Sequence, residues 1–494
     1  MPALRACDRC YRYKEKCVFQ DRGFTCSLCR RVGRVCTTLR SPRRQGRRPT
    51  TMRLGPDSSV QVWEVANSKM GSRSGENVIM VRSLASKGAP RDWFPAPCET
   101  NVLTTHAHFF AAPVPGPFTY RFQDNVSEVL QSSPRLIAGF YSTYDLFMLG
   151  PTFAPRYRAA IRHSYSSAPT LLQDIYAALF NVCKRAKLDP GPLDESDLAP
   201  GAWSLWKLRN MRICGPRDAL ATMALGQALA AFDFMTVCRG PSPILRYALT
   251  VVQPWYEDLA EDAAFDPVTI SPIFWDTIWC LLRREIPVLQ FRLGDRVVVH
   301  HVAGLCTTLL PILYDLCVIS NELQGWDASS SSWSGANVRI QQIEQRLLSW
   351  MPRPPPDFTS KFSEQEILAV NAQAQMYRSA ALLIATRLLN PLGTNDDLAS
   401  WYAHTIIYEF AEYRTSTVPG TRLHNVAFPI LVASMEIPDI PSEVWKSITS
   451  LALAPLCLAK MQAMRDHIWA ERRAGSTSFM LDLVNQAPSF VVMP

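Results

Sequence analysis

Cys7-Asp8-Arg9-Cys10-Tyr11-Arg12-Tyr13-Lys14-Glu15-Lys16-Cys17 and, after eight intervening residues, Cys26-Ser27-Leu28-Cys29-Arg30-Arg31-Val32-Gly33-Arg34-Val35-Cys36 decide how this chain is read. The cysteines follow C-x2-C-x6-C-x8-C-x2-C-x6-C, and the second trio repeats the first at an offset of 19. Such a duplication implies two similar half-sites related by a pseudo-twofold axis. Two tetrahedral zinc ions need eight ligand positions, whereas six thiolates offer six. If one thiolate from each half bridges both ions, the count reaches eight and both shells close. No position is then left for water, which makes the centre structural and not catalytic. Two other readings stand beside it: a single four-cysteine site with two spare thiols, and three disulfides of a secreted chain. Met1-Pro2-Ala3-Leu4-Arg5 lacks the apolar stretch of a secretory signal. A reducing compartment is therefore expected, and there dense cysteines hold metal more often than they form disulfides.

Metal must also fold this segment. Between Cys7 and Cys36 the apolar side chains amount to little more than Val18, Phe19, Phe24, Leu28, Val32 and Val35. That is too little surface for unaided folding. Structural zinc contributes on the order of 10–16 kcal/mol and suffices.

Charge is distributed as unevenly as cysteine. Residues 1–50 hold fourteen Lys and Arg against Asp8, Glu15 and Asp21, a net +11, while the other 444 residues carry 37 basic and 40 acidic side chains, a net −3. Six thiolates and two Zn²⁺ lower the head to about +9. A basic head on a near-neutral body indicates a polyanionic partner, nucleic acid first. On a helix starting near Cys10, Arg12 and Lys16 share a face and Lys14 points elsewhere. One surface can thus grip phosphate while another reaches base edges. Arg43, Arg44, Arg47 and Arg48 form a further basic stretch, read as a DNA-backbone arm and a nuclear import signal.

Ala6-Cys7-Asp8-Arg9-Cys10, the basic run Arg12, Lys14 and Lys16 before Cys17, and Cys26-Ser27-Leu28-Cys29-Arg30-Arg31-Val32-Gly33 together resemble the fungal-type binuclear zinc cluster. The resemblance implies that Cys7 and Cys26 bridge two zinc ions, with Cys10, Cys17, Cys29 and Cys36 as the remaining ligands. It also implies that the short helix after the second cysteine enters the major groove of double-stranded DNA, with Lys14 at the base edges of CGG-like triplets. Arg9, Arg12, Lys16, Arg30 and Arg31 would accompany it. Tyr11 stands where that family often has arginine, and the loop Val18–Thr25 lacks the proline common there.

Beyond residue 40 the composition changes twice. Residues 41–100 are rich in Ser, Arg, Gly and Pro without sustained periodicity and read as a flexible linker. From 101 to 494, apolar segments at helical spacing alternate with proline breaks. Leu171, Leu172, Ile175, Tyr176, Leu179, Phe180 and Cys183 line one face of a helix over Thr170–Asp189. Ile340, Ile343, Leu347 and Trp350 line another, expected to stop at Met351 before Pro352, and Glu366–Leu389 is a third. Alternating patterns are scarce, so the fold class expected is mainly α. It comprises a small zinc cluster at 1–40, a linker, and a large all-α domain at 101–494. Ala219–Cys238 and Val297–Ser320 are apolar enough to raise the question of membrane spans. Gln227 and Asp233 in the first, and His300, His301, Pro311 and Asp315 in the second, make them buried core helices instead.

Catalytic signatures are wanting: no G-x-S-x-G elbow, Walker loop, G-x-G-x-x-G fingerprint or H-E-x-x-H pair occurs. His106, His108, His300 and His301 read as structural or surface histidines. Asn395-Asp396-Asp397 reads as a loop or helix N-cap after Pro391-Leu392-Gly393. Ile343-Glu344, Leu347, Trp350-Met351-Pro352, Pro355 and Phe358, then Met376-Tyr377-Arg378-Ser379-Ala380-Ala381-Leu382-Leu383, resemble the fungal transcription-factor regulatory domain, and Phe274-Trp275-Asp276 through Arg284-Glu285-Ile286-Pro287 is similar in flavour. What this implies is a helical domain governing a nuclear, sequence-specific transcription factor for RNA polymerase II. The expected role is pathway-specific activation of a metabolic or secondary-metabolite gene cluster. The partners expected are DNA, the transcription machinery or coactivators, a second copy in a homodimer, and a small-molecule effector. An enzyme, or an adaptor that does not bind DNA, carrying a zinc-bound recruitment module are the alternatives. Ser478-Phe479-Met480-Leu481-Asp482-Leu483-Val484-Asn485-Gln486 reads as a final helix docked on the core, with an activation segment over 478–494 as the other reading. No heptads follow Arg48, so no coiled coil is expected there.

Overall fold

Prolines mark where many of the helices begin. A proline in the first turn lacks only an N–H that would have no intrahelical partner there. The computed structural model describes residues 7, 10, 17, 18, 26–31, 36, 147–188, 194–292, 296–324, 331–418, 423–487 and 490–492. In it Pro169, Pro216, Pro241, Pro311 and Pro455 each stand at the first or second position of a helix.

The chain divides into two units, Met1–Thr100 and Asn101–Pro494. In the first, α1 (Ser27–Arg31) follows Cys26. The longer helices of the second are α2 (Ala154–Ser167), α3 (Pro169–Leu188), α4 (Glu195–Asn210), α5 (Pro216–Met235), α6 (Pro241–Val252), α7 (Asp266–Arg283) and α8 (Leu310–Glu322), continuing with α9 (Ser331–Ser349), α10 (Glu364–Leu389), α11 (Asp396–Ser416), α12 (Ala427–Ser434), α13 (Pro455–Arg473) and α14 (Met480–Gln486), joined by turns, longer loops and short helices. Among the described residues there is no β-strand, only two isolated bridges.

Helix α7 lies at the centre of this unit. It packs on α2, α5, α6, α8 and the terminal α14. Every residue from Asp266 to Ile278 is buried. Its two acidic residues are paired: Asp266 with Arg156 and Arg296, and Asp276 with Arg246. A buried carboxylate left alone would cost several kcal/mol, so these arginines are part of what allows the helix to lie in the core. Gly226 sets the approach of α5 to α6. A Cβ there would sit 2.4 Å from that of Ala248, so neither helix could come as close with alanine at 226.

The start of α10 joins distant parts of the unit. Ser363 and Glu366 form a capping box, and the Glu366 carboxylate also accepts from the amide and hydroxyl of Thr152, both at 2.8 Å. Burial raises the Glu366 pKa, but these four donors outweigh it and hold the carboxyl below the usual range.

Three sequence expectations are refined here. Ala219–Cys238 is a buried helix through Met235, but Val297–Ser320 is helical only from Leu310. Residues 297–309 instead fold back through a His300–Gly304 bridge and a single 3₁₀ turn at Cys306–Thr308. Pro311 is the reason, because it cannot donate to residue 307 and so begins a helix. Asn395 does occupy the cap position of α11, yet in left-handed conformation and without a capping bond. The Asp396 carboxylate, which accepts from Gly393 N and Arg387, orders that turn instead. The segment Ser478–Gln486 is a docked helix: Met480, Leu481, Leu483 and Val484 are buried, as are Phe490, Val491 and Val492 beyond it. The apolar side chains that an activation segment would present to a coactivator are thus enclosed. No helix among the described residues is long and apolar enough to cross a membrane.

Candidate metal centre and nucleic-acid interface

The duplicated spacing produces a duplicated geometry. Cys7 N donates to Cys17 Sγ at 3.3 Å, and Cys26 N to Cys36 Sγ at 3.3 Å. Cys10 N donates to Cys7 Sγ at 3.4 Å, and Cys29 N to Cys26 Sγ at 3.4 Å. Each bond in the first half maps onto its counterpart by the offset of 19. The sulfur separations obey the same symmetry, with Cys7–Cys29 at 3.7 Å and Cys10–Cys26 at 3.6 Å, and with the central Cys7–Cys26 pair at 3.8 Å.

Two groups of four thiols result: Cys7, Cys10, Cys17 and Cys26, and Cys7, Cys26, Cys29 and Cys36. Within each, all sulfurs lie within 4.8 Å of one another, and Cys7 and Cys26 belong to both. A tetrathiolate around an ion with metal–sulfur bonds of about 2.3 Å has edges of about 3.8 Å. The three measured separations match that edge, so the groups fit metal ions and are compatible with zinc. Cys7, Cys10, Cys26 and Cys29 are fully buried, whereas Cys17 and Cys36 are half-buried at the periphery.

The two shared sulfurs are also the most acidic. Burial raises every thiol of the cluster. At Cys7 and Cys26 this is outweighed by the amides of Cys10 and Cys29 and by donation from neighbouring thiols, which bring Cys26 down to about 6. Burial pushes Cys29 up to about 12 and raises Cys10 as well, and each also gives its proton toward a shared sulfur. Thiolate character thus concentrates where a bridging ligand would need it.

Helix α1 carries Arg30 and Arg31 in its last turn, both exposed. Its first amide, Ser27 N, donates to Val18 O at 2.8 Å, which closes the intervening loop at its ends. Cys10 is helical. Arg9, Arg12, Lys14, Lys16, Arg43, Arg44, Arg47 and Arg48 lie outside the described residues, as do His106 and His108.

In the second unit His300 and His301 are buried and structural. His300 Nδ1 accepts from Val302 N and Ala303 N at 3.2 and 3.1 Å, which places the proton on Nε2, 3.5 Å from Ser271 Oγ. Burial, with Arg156 nearby, brings the His300 pKa down to about 3, and His301 is lowered as well. Both rings are therefore neutral near pH 7. Sequence reasoning singled out no other site in this unit. The structure shows a cavity bordered by residues from Phe147 to Asn425, a set that no local pattern connects.

No curated protein and no solved structure matches the chain. Residues 233–444, from the end of α5 to the short helix Ser442–Lys446, match the family model described as the fungal specific transcription factor domain. The thiol cluster and this match lie on one polypeptide: a cysteine cluster able to hold metal precedes a segment similar to the fungal specific transcription factor domain.

Proposed function

We propose that this protein is a sequence-specific DNA-binding regulator of RNA polymerase II transcription, whose first forty residues fold around two zinc ions. Cys7 and Cys26 bridge the ions, Cys10 and Cys17 complete one shell, and Cys29 and Cys36 complete the other. Both shells are closed by sulfur, so the zinc organises the chain and activates no water. The segment after Cys10 enters the major groove, with Lys14 on the bases of a CGG-like triplet. Arg9, Arg12, Lys16, Arg30 and Arg31 hold phosphate, and Arg43, Arg44, Arg47 and Arg48 extend the grip along the backbone. The helical unit governs activity and engages the transcription machinery in the nucleus. The regulated genes would be those of one metabolic or secondary-metabolite pathway.

The observation that carries this reading is the pair of four-thiol groups sharing Cys7 and Cys26, on a chain that also matches a transcription factor domain. Selection from random duplex DNA by the full chain tests it. Enrichment of CGG-containing sites is expected, with binding that weakens steeply as salt rises and disappears on zinc chelation. Failure to enrich any motif would leave an adaptor as the better description. Binding that survives chelation would refute the zinc scaffold.

A further inference from the structure

The helical unit holds a partly open cavity of about 60 Å³ between α2, α3, α5 and α7. One water needs about 10–15 Å³ of such space, so the volume exceeds an ordinary packing defect. Aromatic rings supply three of its walls. Tyr157 and Tyr176 face it from α2 and α3, and Trp275 from α7, with Leu179, Ala224 and Ala228 between them. The indole N–H of Trp275 donates to Val492 O at 2.9 Å, which fixes that ring as a rigid wall. Phe147, Gln227, Ala231 and Val302 are only partly buried and form the mouth.

Among the described residues, no Lys, Arg, Asp or Glu borders the cavity. A charged guest would lose its hydration without gaining a counter-ion, so the occupant must be neutral. Most of the polar groups present are already committed. Ser271 Oγ donates to Pro267 O, and Asn425 Nδ2 donates to Phe147 O. One is not. Gln227 Oε1 is buried without a hydrogen-bond partner among the described residues, although Gln227 borders the cavity. The ring of His301 packs 4.5 Å from that of Tyr157 beside it. A buried acceptor without a donor is costly, and native interiors rarely keep one.

We infer that this cavity is a binding site for a small, uncharged aromatic molecule whose hydroxyl or N–H donates to Gln227 Oε1. The rings of Tyr157, Tyr176 and Trp275 bury the guest's faces. The site is independent of the DNA-binding reading: its failure would leave the zinc head untouched, and DNA binding measured on the same samples separates the two.

The test uses the full chain at pH 7 with phenol, toluene and benzoate as probes, read by thermal shift and calorimetric titration. Phenol is expected to bind saturably and more tightly than toluene, which has the same shape without the donor, and benzoate is expected not to bind. Gln227→Leu should weaken phenol about tenfold and leave toluene unchanged or tighter. Ala228→Leu, which fills the cavity, should abolish both. Should Ala228→Leu fail to fold, the partly exposed Gln227→Leu still decides. Absence of phenol binding, phenol affinity indifferent to Gln227→Leu, or benzoate binding as well as phenol would each overturn the inference.

Discussion

Among the described residues of the head, the buried set is four cysteines, with Cys17, Leu28 and Cys36 packed partly against them. The helical unit, by contrast, surrounds fully enclosed side chains as large as Phe274, Tyr377, Phe428 and Trp445. One region has almost no hydrocarbon to withdraw from water, while the other has enough to bury a whole helix on every face. The first must therefore take its folding free energy from coordination, whereas the second takes it from apolar burial. The two should respond to different perturbations and ignore each other's.

The sharpest break is chemical. Cys26→Ala removes a sulfur that both four-thiol groups share, and is expected to abolish bound zinc and specific DNA binding together. The thermal midpoint of the helical unit should not move. Elemental analysis alongside calorimetry checks this, and retention of two zincs by the variant would sink the shared-ligand geometry. The reverse perturbation is Trp445→Ala, which empties a large volume in the core. A loss of about 3–5 kcal/mol is expected in denaturant unfolding, with zinc content unchanged.

Buried charge gives a third contrast. Glu436 is fully enclosed and receives Arg387 through two hydrogen bonds of 2.8 and 2.7 Å, with Arg472 as a further partner. Glu436→Gln leaves the enclosed Arg387 without its main counter-ion and should cost about 3 kcal/mol or more. If the variant is as stable as the parent, the pair contributes nothing.

Acid provides a smaller, graded effect. The pKa of His300 is about 3 in the fold and near 6.5 in an unfolded chain, so between those values the unfolded state binds the extra proton. Stability should therefore fall as pH drops below about 6.5, by at most about 1.4 kcal/mol per pH unit for each of His300 and His301. His300→Gln should roughly halve that slope. An unchanged slope would assign the acid sensitivity to other groups.

The smallest effect belongs to Lys14→Ala, which should keep full zinc content and full stability. It should weaken specific DNA binding by about 1–3 kcal/mol while sparing non-specific binding. Zinc loss in this variant would mean that the basic residues serve the scaffold and not the DNA.

What could be read from sequence followed from how local the physics is. Coordination by cysteines within one short segment leaves its signature in spacing, and the offset of 19 carries through to matching N–H···S bonds. The helix expected over Thr170–Asp189 was legible from its apolar face and is found over Pro169–Leu188, and the stop before Pro352, found at Ser349, was legible because proline restricts its own backbone and that of its predecessor. Illegible were arrangements made by distant residues. Glu366 holds Thr152, 214 positions away, and Gln227 meets His301 only across the cavity. The reversal at His300–Gly304 escaped because an apolar run looks alike whether it is helical or folded back. Which face of Ser478–Gln486 would be covered depended on α7, about two hundred residues earlier.

That last dependence shapes how the protein is made. Trp275, Arg283 and Arg284 lie in or directly after α7, and their hydrogen-bonding partners are Val492, Val484 and Asp482, separated from them by 217, 201 and 198 positions. At ribosomal rates of about 5–20 residues per second, the nascent α7 waits roughly 10–40 s for them. Throughout that interval this buried helix must be shielded by neighbours already synthesised or by a chaperone, so a slowed ribosome would lengthen the period in which newly made chains can aggregate.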